Sequence, residues 1–467
     1  MDYKDSNMAY TVSALTDEDI VSFISHHKTH QVPRLEKLES YYKGENKAIE
    51  AKVRKYTHLS NHKPSHNFAK YVSDFMTGYI LGKPVSVNHK EEVVTTKLSE
   101  IHNSMDYDSL NAELELDCSI FGRAYEALYR TDTDKSARLD VKNTFCIYGN
   151  TVEGAKLAGV RYKLEADSTI VEVYTHGEYR RCTIVGQTLK DVVAPEPRYY
   201  EGVPIIEYKN NRYRLGDFEG VLTLIDLYDN AQADTANYMS DLNDAILVIK
   251  GNVKIDEEEA QANIREHNMI LLETATDEYG HNQTAEAGYI YKQYDVAGVE
   301  KYKDRVQNDI HKFTYTPNLT DQSFSGQTQS GIAMAYKLFG LEQIRAIKER
   351  YLKKGLRERY RLIGSVGARI NTTNSISPAG LSITFTPNLP KSLSEELKNF
   401  NDALDLPIRT RLTLVPSIVE SDKIEALAQE IENGQLLDTT GAGLPEGFGQ
   451  TGLEDGTETT TGPRAVV

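Results

Sequence analysis

Two helical patterns separated by a short polar loop, between Val296 and Asn371, constrain this chain more than any other stretch. In the first, Val296, Val299, Tyr302, Val306, Ile310 and Phe313 recur every three or four residues, so they share one face of a helix, and that face needs a neighbour. Pro317 cannot continue a helical hydrogen-bond ladder, and the run from Asn318 to Gln329 is too polar and too rich in Gly and Ser for a core element; it reads as an exposed loop. From Ser330 to about Asn371 the helical pattern resumes, and at a rise of about 1.5 Å per residue a continuous helix there would reach roughly 60 Å. A helix that long cannot be buried in one small domain.

A chain of 467 residues exceeds a single core and divides into roughly two to four compact parts. No run of about 18 uncharged apolar residues is present, so no spanning helix is expected. Met1-Asp2-Tyr3-Lys4-Asp5 is acidic where a signal peptide would need an apolar segment, which predicts a protein made and kept on the cytoplasmic side. Cys118, Cys146 and Cys182 are odd in number and far apart, the pattern of reduced, partly buried thiols rather than of a disulfide framework or a zinc site. The formal charge of -16 argues against a wide basic surface that grips phosphates. A DNA partner would not be held tightly.

After a loose 1–16, Thr16-Asp17-Glu18-Asp19 opens a helix with acids in its first turn, and residues 17–82 read as mostly helical. His26, His27 and His30, and separately His62 and His66, could share helix faces. A metal site would need a carboxylate or Cys to complete the shell, and Pro64 breaks the second pair's helix, so these read as unliganded. Between Tyr107 and Tyr208 the period shifts toward two, and Thr169–Tyr174 and Tyr179–Val185 flank His176-Gly177-Glu178 as a hairpin. The many Tyr residues there could stack on nucleic acid, but Tyr is also simply a good strand residue.

Asp217 starts a second long helix, whose apolar stripe includes Phe218, Val221, Leu222, Ile225 and Tyr228. Glu219, Asp226, Asp234, Asp241 and Asp244 fall together on the other side, as a solvated face or as a surface that repels phosphates. Residues 246–295 form a compact insertion: a strand Ile246–Ile249, a helix Asp256–His267, a strand Met269–Leu272 and another around Tyr289–Tyr291. The lobe therefore sits at the tip of an antiparallel helical pair. Between Leu341 and Arg361 cations dominate, among them Arg345, Lys348, Lys353 and Arg357, which could contact phosphates or a neighbour's carboxylates. Gly355, Gly364 and Gly367 predict bends in this helix. Leu381–Thr386 alternates as a strand returning to the β-rich part, Ser392 and Glu395 have capping-box spacing, and a last helix spans about 421–433. Beyond Leu437 the tail lacks the apolar residues to fold.

No GxxxxGK[ST], HExxH or GxSxG occurs, so no catalytic constellation is expected. Four stretches instead carry a resemblance: Arg34-Leu35 with Tyr41-Tyr42-Lys43-Gly44; Asn67 to Val72 with Gly78 to Val85; Ser119 to Tyr125; and Phe324 to Leu338. In this order they resemble the portal proteins of tailed bacteriophages with long non-contractile tails, which form the ring through which DNA enters the head. The resemblance implies an α+β, mainly helical portal fold with a long kinked helix. Its parts would be a wing at 17–216, stem helices at 217–245 and 297–315, a clip at 246–296, a tunnel loop at 316–329, the long helix at 330–371, a strand returning to the wing at 372–390, crown helices at 391–436 and a disordered tail at 437–467.

It also implies a homo-oligomeric ring of about twelve subunits around double-stranded DNA, bound without sequence specificity. Terminase, a head-tail connector and the capsid and scaffolding proteins would be its partners, at the portal vertex of the virion, with no cofactor or membrane. In that reading Thr320, Asp321, Gln322, Ser323, Phe324, Ser325 and Gly326 narrow the bore, and Phe324 is the apolar anchor or DNA-facing tip. Val299, Tyr302, Val306, Ile310 and Phe313 are the stem packing seam. A metal-dependent hydrolase using the amino-terminal histidines, or a ring that never touches DNA, are the alternatives.

Overall fold

The computed structural model describes residues 10–54, 60–131, 133–165, 168–197, 200–241, 246–250, 253–254, 273–274, 286–290, 295–319, 336–370, 376–388, 393–415, 418–419 and 424–432. Two compact units divide the chain: Met1–Gln329 with Ala333–Asn388, and Ser330–Ile332 with Leu389–Val467. Among the described residues, no helix is long and apolar enough to cross a membrane.

After the strand Tyr10–Val12, the first unit continues in helices. Asp17–His26 begins at a reciprocal capping box, in which the Thr16 hydroxyl accepts from the Asp19 amide at 3.1 Å and the Asp19 carboxylate accepts from the Thr16 amide at 3.2 Å. It passes through a π-helical turn, His27–Gln31, into Val32–Lys43. The Asn67 side chain caps Phe68–Leu81 by accepting from the Lys70 amide at 3.0 Å. Glu92–Ser104 and Tyr107–Phe121 follow. The last corrects the expectation that the two-residue period begins at Tyr107: between Tyr107 and Tyr208 the first strand begins at Arg123. Tyr107, Leu114, Cys118 and Phe121 are buried at helical spacing.

The larger sheet has seven strands. Tyr10–Val12 pairs in parallel with Thr144–Gly149, and antiparallel neighbours Lys156–Glu165, Ser168–Thr175 and Glu178–Val185 follow. Tyr174 opposite Tyr179 and Val171 opposite Cys182 set the register of the expected hairpin. Ile20, Phe23 and Ile24 of the first helix share a core with Val160, Val171 and Val173 of the sheet. In a separate three-stranded sheet Arg123–Arg130 lies between Asp134–Leu139 and Ile205–Lys209.

A 3-10 turn, Glu219–Val221, precedes the α-helix Leu222–Asp241, which therefore starts later than Asp217. In the insertion, Ile246–Lys250 pairs antiparallel with Glu286–Ile290, and Val253–Lys254 with Glu273–Thr274. The helix expected at 256–267 and the strand at 269–272 lie outside the described residues.

The long helix is assigned without a break over Phe339–Ile370, about 48 Å at 1.5 Å per residue. Two of its glycines, Gly355 and Gly364, serve close packing. A Cβ on Gly355 would meet the Tyr208 ring at 2.4 Å, and one on Gly364 would meet the Ile376 carbonyl at 2.9 Å. Leu381–Thr384 pairs with Ser86–His89, so it returns beside the helical first half and not to either larger sheet. In the second unit Leu393–Asp402, Ile408–Leu412 and Ile424–Glu432 surround a core of Phe400, Leu412, Val415, Val419 and Ala428.

Candidate functional site

Leu222–Asp241 and Val296–Thr314 form an antiparallel pair. Lys303 Nζ lies 3.4 Å from Gln232 Oε1, while Val306 and Ile310 join Val221 and Ile225 in one core. The buried face of Val296–Thr314 is Lys303, Val306, Ile310, His311 and Thr314. Thus Val306 and Ile310 of the expected seam pack inside the subunit and Val299 is half-buried, whereas Tyr302 and Phe313 are 45% and 57% exposed. Polar residues take the inner positions because their groups find partners there. The Lys303 ammonium reaches Glu300 and Gln232, and the Thr314 hydroxyl donates to the Ile310 carbonyl at 2.8 Å.

The acidic set is not one free stripe. Glu219 receives Arg34 through Nε at 2.7 Å and Nη2 at 2.5 Å, and Asp226 accepts from the Tyr41 hydroxyl at 2.6 Å and from Asn46 at 3.1 Å. Asp229, which sequence reasoning missed, is wholly buried and accepts from Asn46 at 2.8 Å and from the His66 amide at 2.9 Å. These carboxylates hold the segment from Arg34 to His66 against the helix. Asp234 remains exposed and pairs with Lys52 at 2.8 Å; the Asp241 side chain and Asp244 lie outside the described residues.

The basic stretch is likewise divided. Lys348 is buried between Glu115 at 2.8 Å and Asp217 at 2.6 Å, so it is available neither to phosphate nor to a neighbour, which corrects the expectation. Burial works against its charge, but Asp217 and Glu115 outweigh that and push its pKa up. Arg359, fully buried, donates to Glu126 at 2.9 Å and Asn111 at 2.7 Å and stacks over Tyr107, 4.1 Å from the ring centroid. Arg345 pairs within its helix with Glu342 and Glu349. Lys353 lies 3.8 Å from Glu349 and 5.5 Å from the Phe385 ring centroid. Arg350, Lys354 and Arg357 are exposed.

A signal for the two buried cations was available. Leu341, Leu352, Leu362 and Val366 mark the inner stripe, and Lys348 and Arg359 fill its missing positions.

The histidines are engaged one by one. His26 stacks on His30 at 4.4 Å, and His27 bonds the Tyr162 hydroxyl at 2.8 Å with its pKa lowered to about 3 by burial and by the nearby Arg123 and His26. His62 bonds Ser240 at 2.7 Å and His66 bonds Asp229 at 2.9 Å. Among the described residues, no three His, Cys, Asp or Glu side chains are grouped to hold a metal ion.

Thr320 to Gly326, the expected tunnel loop, lie outside the described residues. Its approach is described: Tyr315 takes a left-handed φ of 58° after the helix, Thr316 is buried against Thr314 at 2.7 Å, and the Pro317 carbonyl accepts from the Tyr71 hydroxyl at 2.7 Å.

Comparison with known proteins adds the context. A family model described as phage portal protein, SPP1 Gp6-like, matches residues 21–435. The portal protein of Bacillus phage SPP1 is 23% identical over 427 residues, covering 85% of this chain and 81% of the relative. The portal protein of Clostridium phage phiCD119 is 21% identical over 272 residues, 51% of this chain and 59% of that protein.

Proposed function

That the chain belongs to the SPP1 Gp6-like family of phage portal proteins is the premise from which we propose a ring of about twelve subunits enclosing double-stranded DNA at one capsid vertex. The observation that carries this reading is the family match over residues 21–435, nearly the whole chain. The family's role as a phage portal displaces the metal-dependent hydrolase, and the reading assigns the chain no catalytic step and no cofactor. Terminase supplies the ATP-driven motor, a head-tail connector docks outside, and the capsid and scaffolding proteins surround the ring, which is made in the host cytoplasm and kept in the virion.

In this reading residues 17–216 form the wing, 217–245 and 297–315 the stem, 246–296 the clip, 391–436 the crown and 316–329 the loop facing DNA. Open apolar side chains on both stem helices, Leu227 and Met239 on one and Tyr302 and Phe313 on the other, support a surface that a neighbouring subunit covers. Arg350, Lys354 and Arg357, spaced four and three apart on one helix face, suit a neighbour's carboxylates or passing phosphates. With a net charge of -16 the ring holds DNA weakly, as a conduit must. Native mass measurement and electron microscopy of the purified full chain test the proposal. Closed rings of about a dozen copies are expected; monomers or dimers alone at every concentration would sink it.

A further inference from the structure

The long helix turns one unbroken face to water. Phe339, Ile347, Arg350, Lys354, Arg357 and Arg361 are all exposed and follow one another at helical spacing. They fall within about 80° of each other around the axis and are strung over about 33 Å. The first half of the face is apolar, with Phe339 61% and Ile347 45% exposed, and the second half is cationic.

The helix's own carboxylates do not neutralise that second half. Glu342 and Glu349 hold Arg345, Glu349 also lies 3.8 Å from Lys353, and Glu358 holds Lys156 at 2.7 Å. Arg361 donates to the Glu201 carbonyl at 2.7 Å, but among the described residues no ion pair reaches Arg350, Lys354 or Arg357. The uncompensated charge is felt nearby. Burial, then Arg357 and Arg345, push the pKa of Lys353 down; burial, with Arg214 and Lys354, does the same to Lys209 against the pull of Glu207.

Like charges three and four residues apart repel one another until an anionic surface covers them. A phosphate backbone would use the cations and gain nothing from Phe339 or Ile347. A protein surface uses both halves, since aromatic side chains and arginine are what interfaces collect. A second copy of this chain has the required charge, with 69 Asp and Glu against 53 Lys and Arg. A head-to-tail ring also brings two different faces of one chain together.

We infer that the exposed 339–361 face of the long helix docks on an acidic, partly apolar face of the next copy, with Arg350, Lys354 and Arg357 as its cationic contacts. This docking presupposes the ring proposed above and gives the cations to carboxylates rather than to phosphates.

The test treats purified full-length rings, free of DNA, with a water-soluble carbodiimide, which joins an amine to a carboxylate where the two touch. Denaturing electrophoresis should show covalent dimers, and peptide mapping of the dimer band should find Lys354 joined to an Asp or Glu. Lys354→Arg keeps the charge without the reactive amine, so it should assemble like the parent and lose that link. Arg350→Glu with Lys354→Glu and Arg357→Glu reverses three exposed charges. Its subunit should unfold like the parent, while the concentration needed for half-assembly should rise at least about 100-fold.

Parental assembly by the triple variant overturns the docking, and if its rings then hold packaged DNA less well, the face belongs to phosphates. A dimer band in which Lys354 carries no link overturns it as well. A parent that stays monomeric at every concentration overturns the ring proposal itself and this docking with it, a result distinct from either of the others.

Discussion

Lys348 Nζ lies 2.6 Å from Asp217 Oδ2 and 2.8 Å from Glu115 Oε1, with all three side chains withdrawn from water. The contact pins the long helix to Tyr107–Phe121 and to the turn that leads into Leu222–Asp241. Lys348→Met leaves two carboxylates buried without their cation and should cost about 3–5 kcal/mol. Adding Glu115→Gln and Asp217→Asn removes the stranded charges and should recover most of that loss. Urea unfolding of the full chain reads both; a single variant as stable as the parent would show that the triad is not what holds the helix.

How legible this arrangement was depends on distance along the chain. The hairpin around Gly177 and the helix start after Thr16 were readable because alternation, turn residues and acids in a first turn act within a few positions. The burial of Lys348 was not, since Glu115 lies 233 residues earlier and nothing local separates Lys348 from the exposed Lys354. Glu219 and Asp226 were misread for the same reason: helical arithmetic placed them on one face, but Arg34 and Tyr41, nearly 200 residues away, determine that the face is covered. The strand Leu381–Thr384 was correct as an element, and its partner Ser86–His89 could not be deduced from alternation. Family words supplied what period and charge could not, the portal family on which the proposal of a ring around DNA rests.

His27 gives the stability a definite pH dependence. Its folded pKa is about 3 against an ordinary 6.5, because burial and the nearby Arg123 and His26 disfavour the cation. Between those values the unfolded chain binds the proton and the folded chain does not, so stability falls as pH drops from 6.5 toward 3. The lowered pKa values of His26 and His311 act in the same direction. Taking the pH from 7 to 5 should cost about 2 kcal/mol through His27. His27→Gln should flatten the profile in that window, and an unchanged slope would mean the imidazole is not held neutral.

The helix pair separates subunit folding from assembly. Val306 is 5% exposed and shares a core with Ile225, so Val306→Asp buries an unpaired charge and should cost several kcal/mol in the subunit itself. Tyr302 and Phe313 are exposed in the single subunit, and Tyr302→Asp with Phe313→Asp should leave its unfolding curve within about 1 kcal/mol of the parent. On the ring proposal the double variant should yield folded subunits that no longer close. Intact rings from it, seen by electron microscopy, would remove these two side chains from the subunit contact.

Two carboxylates on the same stretch should behave in opposite ways. Asp234 is 66% exposed and its pair with Lys52 is a surface contact, worth about 0–1 kcal/mol, so Asp234→Lys should barely move stability. Its charge is felt over about 8–10 Å at physiological salt, enough to act on passing phosphates without touching them. If this face neighbours the DNA path, Asp234→Lys slows packaging while rings stay intact. Glu219 instead holds a partly buried Arg34 through two nitrogens, and Glu219→Ala should cost up to about 3 kcal/mol. It should not alter the packaging rate of the heads that do form. Parental packaging by the Asp234 variant would make that residue part of a solvated face only, and a packaging defect in well-formed Glu219→Ala rings would return that carboxylate to the DNA path.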